Sequence, residues 1–367
     1  MASTSGKKLR TGFTTGTAAA AAAKGALLYL LEQKPPENVT VMLLTEQPIT
    51  IGIHSCCRES ADSARCSVIK DAGDDPDVTH KAEIGARVTL VDAAAGRSPF
   101  DVRISGGKGV GRVTKPGLDV PPGEPAINPG PRKMITRSVT EVLKAHALER
   151  AVNVEVFVPQ GQTLARKTLN ARLGILDGIS ILGTTGVVNP MSHEAYVATI
   201  QSSMSVARAV GVTRLVLTTG RRSERYAQTV FDHLQEEAFI QIGDYFKVSL
   251  EMAANAGFRQ ITLAVFFGKA VKMAQGAAHT HAAKSRLALS RLAGWALEIT
   301  GDGDFAEHIR RANTARQAFE MICGRYPAVI PLVGRRIATA AAKFCGRGIH
   351  IQCVIFDYSG QIAFNSD

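Results

Sequence analysis

The first part of the chain combines one alanine-rich stretch with several short apolar runs. The alanine-rich body over residues 14–31 ends in a leucine cluster, and Thr14 or Thr15 can cap its start, so we predict a helix. A second helical periodicity covers residues 132–147. Runs rich in Val and Ile predict strands over 39–44, 49–53, 65–70 and 86–91. Helices beside short strands indicate an α+β domain over residues 1–150.

Beyond residue 150 the pattern changes to a regular alternation. Apolar runs predict strands over 152–158, 178–183, 213–218, 260–266 and 349–356. Helical stretches lie between them, over 163–173, over 192–210, after residue 218, and up to about residue 345. Strands that are apolar throughout and separated by helices are typical of a parallel sheet covered on both faces. We therefore predict that residues 151–367 form an α/β domain with a mostly parallel sheet.

Composition places the chain among ordinary globular proteins. It has 367 residues, 45% hydrophobic and 20% charged, which is too long for one typical core and suits two domains. No apolar run approaches the ~18 residues of a membrane helix, so we expect no membrane partner. The six cysteines form no C-x-x-C pair, and a disulfide framework is not expected at this size. These features favour a reduced, cytoplasmic compartment.

The net charge of +11 calls for an explanation. Nucleic acid is disfavoured as the partner because aromatic residues make up only 6%, basic residues are scattered, and no RRM, KH or zinc-finger pattern is present. A small anionic ligand accounts for the excess equally well, since a cleft of one sign concentrates such molecules.

Residues 105–133 are unusually rich in glycine and proline. They hold seven Gly, six Pro and five basic residues against two acids. Regularly placed apolar residues favour an ordered loop that faces an anion, because a linker has no need of them. A linker remains the alternative interpretation.

Three predicted strand ends carry small or polar residues, at 159–161, 183–186 and 218–220. Ligands of parallel sheets bind beyond such ends, where amides and hydroxyls can donate to a nucleotide-like group. Neither G-x-G-x-x-G nor a P-loop is present. The threonine-rich segment 9–17 before the first helix is a candidate anion cradle, with simple helix capping as the alternative.

Two further clusters have competing interpretations. Residues 70–77 contain four acids but lack the spacing of an EF-hand, so Asx turns are the alternative to a role of Asp71 or Asp74 in orienting substrate. His279 and His281 can transfer protons or contact substrate, or cap a helix. A zinc site lacks further ligands at a standard spacing, and we predict no metal.

Several long stretches resemble the cobalt-precorrin-5B C1-methyltransferase family, CbiD, of anaerobic cobalamin biosynthesis. The similar stretches are LRTGFTTGTAAAAAAKGAL (9–27), IKDAGDDPDVTHKAEI (69–84), GGKGVGRVTKPGL (106–118), PGEPAINPGPRKMI (122–135), GISILGTTGVVNPMSHEA (178–195) and, more weakly, GKAVKMAQGAAHTHAAKS (268–285). The resemblance implies S-adenosylmethionine as methyl donor, a cobalt-containing tetrapyrrole as acceptor, and a Rossmann-like C-terminal domain.

These implications assign candidate residues to roles. The methyl donor would lie against Gly183, Thr184, Thr185, Gly186 and Gly220. The carboxylates of the anionic tetrapyrrole would contact Arg10, Thr14, Thr15, Lys70, Lys108 and Arg112. Proton transfer would fall to His279, His281 or Asp71.

Methyl transfer from a sulfonium to a ring carbon is a direct displacement, so catalysis is mostly alignment and exclusion of water, which needs no strong nucleophile. A nucleotide-dependent enzyme of another class, a basic RNA-binding protein and a non-catalytic tetrapyrrole carrier remain alternatives. The sequence leaves open whether the chain forms a homo-oligomer and whether the precorrin must contain cobalt.

Overall fold

A computed structural model describes residues 9–92, 99–281 and 285–366, except for the side chains of residues 285–288. The chain divides into two compact units, Met1–His193 and Glu194–Asp367. In both units the sheets combine parallel and antiparallel pairs, so the fold is mixed α/β. No helix in the described ranges is long and apolar enough to cross a membrane.

The elements of the first unit are β1 (Gly12–Phe13), α1 (Thr15–Glu32), β2 (Asn38–Met42), β3 (Pro48–Gly52), β4 (Ser55–Arg58), β5 (Ser63–Ile69), β6 (Glu83–Val91), β7 (Val102–Gly106), β8 (Arg112–Val113), α2 (Pro129–Ala145), β9 (Ala151–Phe157), α3 (Gly161–Ala165), β10 (Ile175–Leu176) and β11 (Val187–Val188). The unit is built on a five-stranded sheet in the order β4-β5-β6-β9-β7, in which only the β7–β9 pair is parallel.

Helix α1 forms the centre of this unit, as the alanine pattern predicts. Residues 18–23, all alanine, are fully buried, and the helix packs against α2, β5 and β6. Small side chains allow this close approach on every side of the helix. Thr14 caps the start by accepting from the amide of Thr17 at 3.2 Å, and Gln33 ends the helix in the left-handed conformation.

The division of the chain falls after His193 and not at residue 150, where we predicted it. The physical reason is strand β9, which pairs antiparallel with β6 and parallel with β7 and so completes the first unit's sheet. The predicted helix over 163–173 is only the short α3. The predicted strand over 178–183 is wrong: Ile179 and Ile181 form isolated bridges to the glycine-rich loop.

The cysteine expectation is also wrong at one place. Cys56 and Cys66 face each other directly in the β4–β5 pair and form a disulfide, with Cα atoms 4.2 Å apart. The sequence hides this pairing because ten residues and a strand reversal separate the two thiols. Cys57, Cys323, Cys345 and Cys353 are free, and burial raises the pKa of the Cys353 thiol to about 12.

The elements of the second unit are α4 (His193–Ala209), β12 (Arg214–Thr218), α5 (Arg221–Val230), a 3₁₀ turn (Glu236–Ala238), β13 (Phe239–Gln241), α6 (Phe246–Asn255), β14 (Gln260–Phe266), α7 (Phe267–Ala274), α8 (Ser285–Thr300), α9 (Gly303–Arg311), α10 (Ala315–Arg325), α11 (Val329–Cys345), β15 (His350–Phe356) and β16 (Ile362–Asn365). They include a five-stranded sheet in the order β13-β12-β14-β15-β16, in which only β16 is antiparallel. The prediction of a mostly parallel sheet is confirmed, although β13 and β16 were missed.

Candidate functional site

The strand order of the second unit creates a crevice at one edge of its sheet. From β12 the chain passes to β13 on one side and then returns to β14 on the other. At such a reversal the loops beyond the carboxyl ends of the strands diverge, and open parallel sheets bind their ligands there.

A cavity of about 620 Å³ lies at this point. It is lined by the loop after β12, the first turns of α5 and α7, the start of α10, and Tyr358. Its volume lies within the range of small-molecule sites. Gly220, which we predicted to bind the cofactor, is one of the lining residues. An ideal Cβ built on Gly220 meets no atom within 4 Å, so its backbone borders open space.

The cavity is basic. Arg221, Arg222, Lys269 and Lys272 contribute to its lining, whereas no Asp or Glu of the described chain does. Helices α5, α7 and α10 also begin at the cavity, and helix N-termini add positive potential. The site therefore favours a ligand with at least one anionic group.

One wall of the cavity is aromatic. The rings of Phe266 and Tyr358 are stacked, with centroids 6.3 Å apart and planes at 16°. The Arg222 guanidinium lies 4.9 Å from the Phe266 ring centroid and donates to the Tyr358 carbonyl oxygen. Burial raises the pKa of the Tyr358 hydroxyl. A flat apolar wall beside cationic groups suits a ligand that has both an aromatic ring and a carboxylate.

A polar lock adjoins the cavity; it consists of Asp244, Lys269 and Thr280. Lys269 comes from the first turn of α7, and its ammonium donates to the Asp244 Oδ1. The fully buried Thr280 hydroxyl donates to the same oxygen at 2.8 Å, and the Thr280 amide donates to the Asp244 carbonyl at 3.0 Å. Burial alone would raise the pKa of Asp244, but Lys269 and Thr280 hold it below its usual value.

The lock holds the segment that carries the two predicted histidines. Lys272 donates to the carbonyl oxygens of Thr280 and His281 at 3.3 and 3.1 Å. Burial, and then the charge of Lys269, lower the pKa of Lys272. The His279 and His281 rings have centroids 6.4 Å apart, and the His279 ring meets the Tyr245 ring edge-on at 4.9 Å. The histidines thus adjoin the lock, and their role in proton transfer stays a prediction.

The predicted acidic cluster in the first unit is internally bonded. Arg10 forms a two-pronged ion pair with Asp71, and this contact lowers the pKa of the Asp71 carboxyl. The carboxylates of Asp74 and Asp75 accept from the backbone amides of Arg10 and Met191 at 2.7 and 2.8 Å. These contacts agree with the turn interpretation. An Asp71 that stays ionised at neutral pH is poorly suited to donate a proton.

The loop at 183–186 and the start of α1 come together in the first unit. Thr15 accepts from the Leu182 amide at 2.8 Å, and the Thr14 amide donates to the Gly186 carbonyl at 3.0 Å. Both threonines are buried, so these bonds fasten the loop to the helix start. Thr184 and Thr185 are exposed beside it. The residues that we assigned to the donor therefore fall in two different units, since Gly220 lies in the second.

Three basic residues predicted to contact substrate lie in different environments. Lys108 is exposed, and Arg112 is exposed while it donates to the Gly123 carbonyl. Lys70 is only 1% exposed and donates to the Asp77 Oδ2 at 2.6 Å. A substrate carboxylate would have to break this ion pair to reach the Lys70 ammonium. The structure thus gives Lys70 a role in stability.

We predict that Lys70→Met lowers the free energy of unfolding by about 2 kcal/mol at neutral pH, because Asp77 loses its cationic partner in a half-buried site. Burial alone would raise the pKa of Asp77, but Lys70 and Thr79 lower it, so the contribution is present above about pH 4 and is lost as the pH falls further. Urea titrations at pH 7 and pH 3.5 should show the difference shrinking in acid. Lys108→Met, the exposed control, should change stability by less than about 0.5 kcal/mol. An equal loss in both variants would contradict the assignment.

Sequence reasoning missed most of the charged residues at and beside this cavity. Arg222 lies in α5, Lys269 and Lys272 lie in α7, and Asp244, which accepts from Lys269, follows β13. Only the sheet order brings these three elements together. One signal was available: an acid that follows the second parallel strand, 24 residues after Gly220, matches the spacing of nucleotide sites. Among the described residues, no group of three or more His, Cys, Asp or Glu is placed to hold a metal ion.

The fold and the cleft define a mixed α/β protein with a basic cavity at the switch point of a mostly parallel sheet. The chain belongs to the CbiD family: the CbiD profile matches residues 2–190, and the profile of the CbiD C-terminal domain matches residues 279–367.

Curated relatives agree with this assignment over almost the whole chain. Proteins named cobalt-precorrin-5B C(1)-methyltransferase are similar to it in Pelobacter propionicus (43% identity, 99% of this chain and 97% of the relative), Geobacillus kaustophilus (41%, 97% and 94%) and Geobacter sulfurreducens (41%, 98% and 99%). The crystal structure of the cobalamin biosynthesis protein CbiD from Archaeoglobus fulgidus is 28% identical and covers 71% of this chain and 78% of its own, with a TM-score of 0.39.

Proposed function

We propose that this chain methylates C1 of cobalt-precorrin-5B, giving cobalt-precorrin-6A, with S-adenosylmethionine as the methyl donor. The observation that carries the proposal is the near-full-length similarity to relatives of that name, at 41–43% identity. The basic character of the chain agrees with it, since a corrin precursor carries several carboxylates around its rim.

The second unit is proposed to be Rossmann-like and to bind the methyl donor. Its parallel strands follow the order 2-1-3-4, which is the order of nucleotide-binding sheets of the flavodoxin type. The Phe266–Tyr358 wall would face the adenine ring, and the helix N-termini with Arg222 would receive the methionine carboxylate. Gly220 supports this placement because its backbone lies open to the cavity.

The first unit is proposed to bind the tetrapyrrole. Arg10, Lys108 and Arg112 are its exposed candidates for contacts with carboxylates. Arg10 would retain Asp71 as a neighbour that fixes the orientation of its guanidinium. The residues at 183–186 remain predicted ligands of the donor, with the exposed Thr184 and Thr185 as the accessible hydroxyls.

Methyl transfer needs no covalent intermediate on the protein. The ring carbon attacks the methyl group, and the bond from that methyl group to sulfur breaks. The protein has to align the two reactants and exclude water, and the released S-adenosylhomocysteine carries no sulfonium charge.

Incubation with methyl-labelled S-adenosylmethionine and cobalt-precorrin-5B tests the function. We expect mass analysis to show the tetrapyrrole with one labelled methyl group and an equal amount of S-adenosylhomocysteine. An unchanged tetrapyrrole would contradict the proposal. Tight binding of ATP without binding of S-adenosylhomocysteine would instead indicate another nucleotide-dependent enzyme, and retention on RNA at low salt would indicate an RNA-binding protein.

A further inference from the structure

The two oxygens of the Asp244 carboxylate differ in their hydrogen bonding. Oδ1 accepts from the Lys269 ammonium and the Thr280 hydroxyl, whereas Oδ2 meets no hydrogen-bond donor in the described part of the chain. The side chain is 27% exposed, so Oδ2 is accessible to a ligand. Lys269 lines the cavity and also donates to Oδ1, so one hydrogen bond connects the carboxylate to the cavity lining.

Asp244 also occupies a distinctive place in the sheet. It follows β13, the parallel neighbour of β12, while Gly220 follows β12 itself. In nucleotide-binding sheets the glycine turn after the first strand receives the negatively charged part of the ligand. An acid after the adjacent second strand, about 20 residues on, accepts from a ribose hydroxyl. In this chain Asp244 follows Gly220 by 24 residues.

The surroundings keep this carboxylate ionised and fixed. Lys269 and Thr280 hold Oδ1, and they keep the pKa of the Asp244 carboxyl low despite its burial. The preceding Gly243 has φ of 55°, and an ideal Cβ there would come within 2.8 Å of the Tyr196 hydroxyl. Tyr196 in turn stacks on Tyr245 at 5.0 Å. The acid therefore stands on a rigid turn, and an ionised acceptor gives a hydroxyl a charge-assisted hydrogen bond.

We propose that Asp244 Oδ2 accepts a hydrogen bond from the ribose of the adenosyl ligand and thereby selects nucleosides that carry the ribose hydroxyls. This inference rests on the proposed use of S-adenosylmethionine. It adds a specificity-determining residue and assigns Lys269 and Thr280 as positioning residues that orient the carboxylate. Among the described residues, the cavity lining itself contains no carboxylate that could serve as an ionised acceptor for a diol.

Calorimetric titration of the wild-type protein tests the inference without any substitution. The ligands are S-adenosylhomocysteine and its 2′-deoxy and 3′-deoxy analogues. We expect at least one analogue to bind about tenfold or more weakly, which is the effect of losing a hydrogen bond to a charged group. Equal binding of all three would overturn the inference and leave the proposed function standing, whereas failure of S-adenosylhomocysteine itself to bind would remove both.

The variant Asp244→Asn tests whether Asp244 is the residue that binds the ribose hydroxyl. In this variant the difference in affinity between S-adenosylhomocysteine and the weaker analogue should fall to about threefold or less. Asp232→Asn is the matched control, because Asp232 has the same charge, lies in the same unit and is 86% exposed. The Asp232→Asn variant should keep the full difference in affinity between S-adenosylhomocysteine and the weaker analogue. A difference that persists in Asp244→Asn would show that another group reads the ribose.

Discussion

Replacing Gly220 with alanine is expected to weaken the binding of S-adenosylhomocysteine by about 100-fold while the protein stays folded. The Gly220 backbone is extended and its Cβ position borders open space, so the free protein accommodates a methyl group without a clash. When the ligand fills that space, the same methyl group overlaps it. An overlap of this kind costs about 1–3 kcal/mol, and the upper end corresponds to the expected loss of affinity.

Gly220→Ala should lower the affinity for the ligand without lowering the stability of the fold, and this combination distinguishes a contact with the ligand from general damage to the protein. Gly324→Ala in α10 is the matched control, because its Cβ position is also open and the residue lies outside the cavity lining. Calorimetry gives the affinities, and the fluorescence of Trp295, the single tryptophan, reports the fold of the second unit. If Gly220→Ala binds as tightly as the wild type, the ligand does not approach this turn, and the donor site must be sought elsewhere.

The elements that depend on local pattern could be predicted from the sequence. Helix α1 follows from its alanine run and threonine cap, and β12, β14 and β15 follow from apolar runs between helices. The strand predicted over 178–183 failed for a tertiary reason. Ile179 and Ile181 are buried against the glycine-rich loop, so their apolar character reflects burial and not a place in a ladder.

The site was harder to predict because its chemistry depends on which strand ends are neighbours. Gly220 was predicted from the strand that precedes it; the structure places it in the cavity lining, and its role in binding stays a prediction. Asp244, which we propose as a ligand of the ribose, was not predicted because β13 has only three residues and gives a weak signal. Lys70 shows the opposite difficulty: a lysine beside acids suggests an exposed ligand contact, and only the tertiary structure shows that it is buried.

The glycine-rich segment 105–133 now has a structural explanation. Three backbone segments cross at Gly109, Gly161 and Gly178. An ideal Cβ on Gly109 would lie 2.0 Å from the Val158 carbonyl oxygen, and one on Gly178 would lie 2.3 Å from the Gly109 carbonyl oxygen. The Gly109 carbonyl accepts from the Ile179 amide at 3.0 Å, and Val158 donates to the Lys108 carbonyl at 2.8 Å. This segment is therefore a packed part of the first unit, and the linker alternative is excluded.

Gly109→Ala is accordingly expected to lower the free energy of unfolding by more than about 4 kcal/mol. The backbone φ of 75° costs an L-residue about 1–2 kcal/mol, and the overlap with the Val158 carbonyl forces two hydrogen-bonded backbones apart. Gly123→Ala is the control in the same segment: its φ is 92°, but no atom lies within 4 Å of the Cβ position, so only the backbone cost applies. Urea titration followed by far-UV circular dichroism should separate the two variants by at least about 2 kcal/mol. If Gly109→Ala proved as stable as Gly123→Ala, the backbone crossing at Gly109 would not be as tightly packed as the distances indicate.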